Sequence, residues 1–404
     1  MALDAHDPLA GLRGRFAAPG ADTIFLDANS MGAMPATVPG RLAQFCTHAW
    51  TEMRRQGWTH FEWLERPHQI GAAIAPFIGA RPQDVIACDS TTVNLFKMLG
   101  YAWRVRESGH IVLTESGNFP TDLYVAQGMT GFVEGNPQIK VCSSRDEVLD
   151  SITDDVAVVY LSHVDYRSAE RWDMARVNRL AHAAGALTVW DLSHAAGAVP
   201  VDLQGSNADL AVGCGYKYLS LGPGGPAYLW VNPRHGSRAW PAICGWMGHE
   251  NVFAFAKDYA PLAGASGHAT GTPPVLANEV AWCAAEIWRE VEPRQLWNKH
   301  RSLAELLVAL LEQQCASLGV ELISPRNHDE RGGHVSFRHP GAGPVCEALL
   351  EAGVIGSFRN PDSLRFGLGA LSSSHEDIWN AVARLKDILV SERWREHRFQ
   401  NVSV

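Results

Sequence analysis

The strongest constraint on the fold is an alternation of short apolar runs with helical stretches over residues 84–232. This alternation is typical of a mostly parallel sheet with helices on its faces. Each apolar run is rich in β-branched or aromatic residues, as strands are. The seven candidate strands are 84–88, 110–115, 139–142, 156–162, 186–192, 208–213 and 227–231. The segment therefore predicts an α/β domain with a mostly parallel seven-stranded sheet.

A helix is predicted between the fourth and fifth strands. Asp173 is placed as an N-cap, residues 174–184 have helical apolar spacing, and Gly185 is placed to end the helix. These features together predict a βαβ unit.

After a Gly/Pro-rich stretch at 264–274, the alternation of strands and helices gives way to a mainly helical pattern. Helices are predicted at 275–291 and 296–315, strands at 334–339 and 363–368, and a closing helix at 376–389, which is the pattern of a small α+β domain. A chain of 404 residues exceeds the size at which single cores stop growing. We therefore expect an N-terminal arm at 1–45 that packs with the small domain, a large domain at 46–273 and a small C-terminal domain at 274–404.

Composition argues against several partners. With 34 basic and 43 acidic residues the net charge is -9, which provides no positive field for nucleic acid. No apolar run approaches the length of a bilayer span, and the N-terminus lacks the features of a signal peptide, so a cytoplasmic protein without membrane contact is expected. The eight cysteines form no C-x-x-C pair, which argues against disulfides and against a zinc site, so no metal is expected.

Polar residues that directly follow strands are of most interest, because open α/β sheets bind ligands at the carboxyl ends of their strands. After the first strand, residues 89–94 bring hydroxyls and unpaired backbone N–H groups to a helix start, where they would cradle a phosphate. Thr91 and Thr92 lie in this segment. Taken alone, Ser and Thr at such a position are more often simple helix caps.

Two further segments point to pyridoxal 5'-phosphate (PLP). Asp191 and His194 follow the fifth strand, where a carboxylate would keep the pyridinium nitrogen protonated and make the ring an electron sink. The alternative is a helix-capping Asp with a partly buried His. Lys217, between Tyr216 and Tyr218, comes just past the next strand and would form an imine with the cofactor, although a lone loop lysine is more often a solvated charge. The order of these residues favours the cofactor.

These residues resemble those of the kynureninase family, particularly its bacterial form, and the similarity runs over nearly the whole chain. The stretches that carry it are 25–32, 118–124, 190–195 and 216–219. The element Phe119-Pro-Thr-Asp is the most discriminating, since the related cysteine desulfurases usually have His at the first position. The resemblance implies fold type I of the aspartate-aminotransferase superfamily, with a PLP-dependent transferase-like large domain.

The resemblance also implies how the cofactor is held. Phe119 would stack on the pyridine ring, Asp122 would contact the ring substituents and Asp191 would pair with the ring nitrogen. Lys217 would hold PLP as a Schiff base. Further contacts to the cofactor and its phosphate would come from Thr91, Thr92, Ser162, His194 and Tyr216.

Substrate and partner contacts follow from the same resemblance. Arg365 would receive the substrate α-carboxylate, for which a guanidinium fork is well suited, and Trp58 would lie near the substrate ring. Trp246 and Thr272 would complete the phosphate site of a partner subunit, which implies a homodimer with shared active sites. Tyr216 is the expected acid/base for bond cleavage.

The implied reaction is the hydrolytic Cβ–Cγ cleavage of L-kynurenine or 3-hydroxykynurenine to anthranilate or 3-hydroxyanthranilate and L-alanine, in tryptophan catabolism. The sequence departs from the family pattern at 369–374, Ser220 and Pro273, near the substrate side. A related enzyme acting on a modified kynurenine in a biosynthetic pathway therefore stays open as an alternative. A cysteine desulfurase or selenocysteine lyase would need a nucleophilic cysteine near Arg365, where only Cys346 is available. The choice between kynurenine and 3-hydroxykynurenine also stays open, because a few pocket contacts decide one hydroxyl.

Overall fold

The computed structural model describes residues 2–18, 20, 22–51, 54–58, 60 and 62–400. Its helices are α1 Ala2–Ala5, α2 Val38–Gln44, α3 Arg66–Ile74, α4 Thr91–Val105, α5 Pro120–Met129, α6 Arg145–Asp150, α7 Met174–Ala183, α8 Val275–Trp288, α9 Pro293–Gln314, α10 Ala342–Glu351 and α11 His375–Val390. Its strands are β1 Ile24–Phe25, β2 Val85–Ala87, β3 Ile111–Glu115, β4 Gln138–Cys142, β5 Val156–Ser162, β6 Leu187–Asp191, β7 Leu210–Gly213, β8 Tyr228–Val231, β9 Glu321–Leu322, β10 His334–Arg338, β11 Val354–Ile355, β12 Ser357–Arg359 and β13 Ser363–Gly367.

The main sheet has seven strands in the order β2-β8-β7-β6-β5-β3-β4. Only β8 runs antiparallel to its neighbours, so the predicted mostly parallel sheet and its seven strands are confirmed. Side chains alternate between two apolar clusters, one on each face: Trp190 packs into one and Val189 into the other. Because both faces are covered, β5 is buried along its whole length.

The direction of chain progression reverses at β5. The chain runs outward from β3 to β4 on one side, and from β5 through β6 to β7 on the other. Such a reversal opens a crevice at the carboxyl ends of the strands, which is where this class of sheet binds ligands. The backbone N–H of Ser162, at the end of β5, donates to Asn118 Oδ1 at 3.0 Å and ties the two sides of the crevice together.

The predicted βαβ helix is present as α7. Asp173 is its N-cap, accepting from the backbone N–H of Arg176 at 2.9 Å, and Gly185 follows with a positive φ of 79°. A left-handed conformation at this position favours glycine, which explains why the helix ends there.

The C-terminal elements form a four-stranded antiparallel sheet in the order β12-β13-β10-β9. The predicted strands at 334–339 and 363–368 appear as β10 and β13, and the three predicted helices appear as α8, α9 and α11. A separate apolar cluster lies between this sheet and its helices, including Leu307, Phe337 and Phe366. β1, β9, β11 and β12 span only two or three residues each and leave no periodic pattern in the sequence.

The N-terminal residues pack against C-terminal elements. β1 pairs in parallel with β11, Asp7 forms an ion pair with Lys299 at 2.7 Å, and Asp4 contacts His375 at 2.8 Å. The domain limits at residues 45 and 273 stay a prediction.

Within the described ranges no helix is both long and apolar enough to cross a membrane. All eight cysteines are free, and four of them are buried, whereas Cys46 and Cys244 are exposed.

A buried carboxylate links β6 to the start of β7 in the interior of the main sheet. Asp209, just before β7, accepts hydrogen bonds from the Thr188 N–H at 2.8 Å, His182 Nε2 at 2.8 Å, His235 Nε2 at 2.7 Å, and Arg234. Burial alone would raise the pKa of Asp209, but the hydrogen bonds from His182, His235 and Arg234 hold it well below its usual value. The ionised carboxylate therefore stabilises the fold.

We expect Asp209→Asn to lower the free energy of unfolding by about 3 kcal/mol at pH 7, because the Arg234 guanidinium loses its counter-ion and the contacts of His182 and His235 are weakened. Since the folded pKa of Asp209 is depressed, the difference from wild type should be complete above pH of about 4 and shrink as the pH falls further. Urea unfolding across this pH range measures it. Asp155→Asn is the control. The Asp155 side chain is exposed, and its contact with the exposed His110 is long, at 3.9 Å, so its loss should change the free energy of unfolding little. An Asp209→Asn variant as stable as the control would contradict this account.

Candidate active site

The carboxyl ends of the central strands converge on a cavity of about 240 Å³ at the crevice described above. Its lining consists of Asn29, Ser30, Thr91, Thr92, Phe119, Thr121, Asp122, Ser162, Val164, Tyr166, Asp191, Ser193, His194, Tyr216, Lys217, Arg359 and Arg365. Ten of the residues predicted from the sequence thus meet in one cavity. Trp58, Trp246 and Thr272 do not line it.

Lys217 lines the cavity. It follows β7, and its Nζ lies 2.8 Å from His194 Nε2. The Nζ is also 6.0 Å from the ring centroid of Phe119 and 5.9 Å from that of Tyr216. Burial, and then the charge of Lys217, lowers the pKa of His194 well below its usual value, so the imidazole is neutral and can accept a hydrogen bond from the amine. His194 Nδ1 is buried without a partner.

Two buried carboxylates face the same cavity. Asp191, at the end of β6, accepts from the Ser193 N–H at 2.8 Å, and Asp122 in α5 accepts from Ser162 Oγ at 2.9 Å. Burial, followed by the charge of Asp191, raises the pKa of Asp122 well above its usual value, and burial also raises the pKa of Asp191. Burial and the charge of Asp191 both oppose ionisation of Asp122, so this carboxyl keeps its proton more readily than an exposed one does.

A helix start forms one wall of the cavity. Ser90 caps α4, accepting from the Val93 N–H at 3.4 Å, and Thr91 and Thr92 occupy the first turn. The free N–H groups of a helix start favour an anion. Tyr216 lies on the same cavity, and burial raises the pKa of its phenol, which therefore keeps its proton at neutral pH.

Arg365 closes the cavity from the C-terminal sheet. This side chain on β13 is only 1% exposed. Its Nε donates to Ser357 Oγ at 3.2 Å, its Nη1 to the Tyr166 carbonyl at 2.5 Å and its Nη2 to Ser30 Oγ at 3.4 Å. Burial, and then the charge of Arg359, lowers the pKa of Arg365 to about 10. The group is still a cation at neutral pH and is fixed in direction by its three partners.

The remaining three predicted residues lie elsewhere in this chain. Trp58 and Trp246 contact each other edge to face, with ring centroids 6.1 Å apart, and Trp246 stacks on Phe255 at 6.4 Å. Thr272 lies in the turn that precedes α8. The predicted roles of Trp246 and Thr272 belong to a partner's cavity, so a single chain leaves them as predictions. The role of Trp58 also stays a prediction.

The sequence reasoning missed six polar lining residues: Asn29, Ser30, Thr121, Tyr166, Ser193 and Arg359. Thr121 and Ser193 lie within the 118–124 and 190–195 motifs but were given no role. Asn29 and Ser30 belong to the 25–32 motif and could have been proposed from it. Arg359 lies on the three-residue β12, which gives no strand signal, and Tyr166 lies in a loop.

The cavity fits PLP in its chemistry. A lysine, a buried carboxylate, an aromatic face and a helix start for a phosphate surround one space. Lys217 is the only lysine that lines the cavity among the described residues. The fold and the site together define a PLP-dependent enzyme of fold type I.

Solved structures share this fold. The cysteine desulfurase CsdA of Escherichia coli superimposes with a TM-score of 0.75 at 20% identity, covering 95% of this chain and 98% of that one. A C-DES variant with glycine covalently linked to its PLP cofactor gives a TM-score of 0.76 at 16% identity, covering 93% and 99%. At these identities the likeness shows the fold alone.

Sequence relatives are more specific. The chain is 44% identical to the kynureninase of Deinococcus radiodurans over 393 residues, covering 96% of this chain and 95% of the relative. It is 38% identical to the kynureninase of Pseudomonas fluorescens over 404 residues, covering 99% and 97%. Residues 296–385 match the family model of the kynureninase C-terminal domain. The chain belongs to the kynureninase family, and PLP is its cofactor.

The raised pKa of Asp122 leads to a stability prediction. Because the folded pKa is raised, the cofactor-free wild type loses stability as the pH rises above about 4, whereas Asn at this position is always neutral. We expect cofactor-free Asp122→Asn to unfold at a temperature about 2 °C or more above wild type at pH 7, with the difference vanishing near pH 4. Thermal unfolding followed by circular dichroism measures this difference. Identical transitions for the two proteins across this range would show that the pKa of Asp122 is not raised in the folded chain.

Proposed function

We propose that this chain is a kynureninase that uses water to cleave the Cβ–Cγ bond of L-kynurenine, giving anthranilate and L-alanine. 3-Hydroxykynurenine is the second substrate to be tested. The observation that carries the proposal is the meeting of Lys217, Asp191 and Arg365 in one buried cavity of a kynureninase-family chain. This activity belongs to the breakdown of tryptophan through kynurenine.

The cavity residues would hold PLP in a defined orientation. Phe119, whose ring contacts Tyr166 edge to face at 5.3 Å, would cover the pyridine ring. Asp191 would pair with the ring nitrogen, and Asp122, carrying a proton, would contact the ring substituents. The cofactor and its phosphate would also be contacted by Thr91, Thr92, Ser162, His194 and Tyr216.

PLP, when bound, withdraws electrons from the Cα of an amino-acid substrate. Lys217, displaced from the cofactor by the substrate amine, would then take the Cα proton. His194, with its Nε2 2.8 Å from Lys217 Nζ, orients the amine. The neutral His194 can accept a hydrogen bond without adding a second positive charge.

Arg365 would bind the substrate α-carboxylate. Its guanidinium is held by Ser357, Tyr166 and Ser30, so little side-chain freedom is lost on binding. This contact would fix the substrate so that its Cα lies near Lys217.

Tyr216 would act as the acid and base for cleavage. Its phenol keeps its proton at neutral pH and lies on the same cavity as Lys217. It can therefore donate a proton to a carbanion formed at Cβ when the bond to Cγ breaks, and recover one from the water that adds to the γ-carbonyl.

The cavity favours carbon–carbon hydrolysis over desulfuration. A desulfurase needs a nucleophilic cysteine, and no cysteine lines the cavity in the described part of the chain. Burial raises the pKa of the Cys346 thiol to about 12, which makes it a poor nucleophile. A modified kynurenine is the alternative substrate, because the chain departs from the family pattern at 369–374, Ser220 and Pro273. Of these, Ser220 donates its backbone N–H to the Lys217 carbonyl at 2.9 Å.

We further propose a cytoplasmic homodimer in which Trp246 and Thr272 complete the partner's phosphate site. An aromatic cluster beside Trp246 supports this arrangement, because Phe253 is 48% exposed and Phe255 is 77% exposed. Exposed apolar surface of this kind typically marks an interface.

The direct test supplies the PLP-loaded protein with L-kynurenine and, separately, 3-hydroxykynurenine. Fluorescence follows the aromatic amine and chromatography follows alanine. We expect equal amounts of both products from wild type, and a rate lower by about a thousandfold or more in Lys217→Ala, because the residue that removes the Cα proton is gone. Lys140→Ala, which removes an exposed lysine of β4, is the matched control and should keep full activity.

Three results would redirect the proposal. Turnover at the wild-type rate by Lys217→Ala would show that Lys217 does not remove the Cα proton. A cofactor spectrum that shifts with both substrates but yields no product would point to a modified kynurenine. No spectral shift with either would contradict kynurenine chemistry altogether.

A further inference from the structure

A fully buried lysine forms an ion pair with a partly exposed aspartate directly behind the start of α4, the phosphate wall that carries Thr91 and Thr92. Lys97, on α4, is 0% exposed, and its Nζ pairs with the carboxylate of Asp89. The same Nζ donates to the backbone carbonyl of His268 at 2.7 Å. A fully buried lysine is costly unless it is paired, and an apolar side chain would fill the position without that cost. This charge is therefore expected to have a specific use.

One end of the ion pair fixes the loop that leads into the phosphate wall. Asp89 follows β2 and has a φ of 48°, a left-handed conformation that is strained for a residue with a side chain. Its carbonyl accepts from the Ala227 N–H at 3.0 Å, and the next residue, Ser90, is the N-cap of α4. By holding the Asp89 side chain, Lys97 holds this turn in the conformation that presents Thr91.

The other end fixes the segment from His268 to Thr272. Beyond the bond from Lys97 to the His268 carbonyl, Thr270 Oγ1 lies 3.4 Å from the Asp89 carboxylate. The Thr270 carbonyl accepts from the Met247 N–H at 3.1 Å, so the neighbouring Trp246 is tied to the same segment. One buried amine therefore connects the phosphate wall of this chain to the segment proposed to serve the partner's phosphate.

We propose that Lys97 and Asp89 are positioning residues for the phosphate of PLP: their ion pair sets the start of α4 against the 268–272 segment. Neither side chain lines the cavity, so both act through the backbone that they hold. The inference rests on PLP binding and does not depend on which substrate is cleaved.

The test compares PLP with pyridoxal, which lacks the phosphate but can still react with Lys217. Cofactor-free wild type and Lys97→Met are titrated with each compound, and the dissociation constant is read from the absorbance of the bound form. We expect PLP to bind about tenfold or more weakly to Lys97→Met, because the phosphate contacts are misplaced. Pyridoxal should bind within about twofold of wild type, since it makes no phosphate contact.

A matched control separates positioning from general destabilisation. Lys299 also forms a buried pair, with Asp7 at 2.7 Å, and both side chains are 4% exposed. Lys299→Met should lower the unfolding temperature but leave the ratio of PLP to pyridoxal affinity unchanged. Equal loss of both affinities in Lys97→Met, or the same change of ratio in Lys299→Met, would overturn the proposal.

The double variant Lys97→Met/Asp89→Asn removes both charges and leaves no buried charge unpaired, so it can be used even if Lys97→Met fails to fold. It should still bind PLP about tenfold more weakly, with pyridoxal unchanged, because the ion pair that holds the turn is absent. Wild-type PLP affinity in the double variant would show that only net charge matters and would refute the positioning role. Because no kynurenine is used, this outcome is independent of the proposed reaction.

Discussion

The burial of several charges in one cavity is the constraint on which the rest of the structure depends. Lys217, Asp191, Asp122 and Arg365 line one cavity, and the last three are buried. A buried ionisable group without a partner is costly. Each is therefore held by a partner: His194 for the lysine, backbone or hydroxyl donors for the carboxylates, and three acceptors for the guanidinium. The parallel sheet makes this possible, because it ends several strands at one edge.

The two sheets contribute different groups to this cavity. The main sheet contributes the groups that suit the cofactor, at the ends of β6 and β7 and at the starts of α4 and α5. The antiparallel sheet contributes Arg365, which suits the carboxylate of a substrate. The cysteine desulfurase CsdA and C-DES share the fold at 20% identity or less, so the chemistry of this chain depends on particular residues. Phe119 in the cavity, together with a lining of described residues that contains no cysteine, favours a kynurenine-type reaction.

Much of this arrangement could be predicted from the sequence. The strands of the main sheet are buried on both faces, so they appear as continuous apolar runs, and Asp191 and Lys217 directly follow two of them. Tyr166 and Arg359 could not be predicted in this way, because their place in the cavity depends on how distant segments pack. The burial of Lys97 could not be predicted from the sequence either, because a lysine inside a helix is usually exposed. Only the tertiary structure shows that this one is buried.

The central claim is that Lys217 binds the cofactor covalently. Borohydride reduction of the PLP-loaded protein converts an imine into a stable amine, so that proteolysis and mass spectrometry can locate the modified residue. The account predicts a pyridoxyl group on the peptide that contains Lys217, and loss of that modification when L-alanine is present in saturating amount. Modification of a different lysine, or none at all in a protein that has bound PLP, would contradict it.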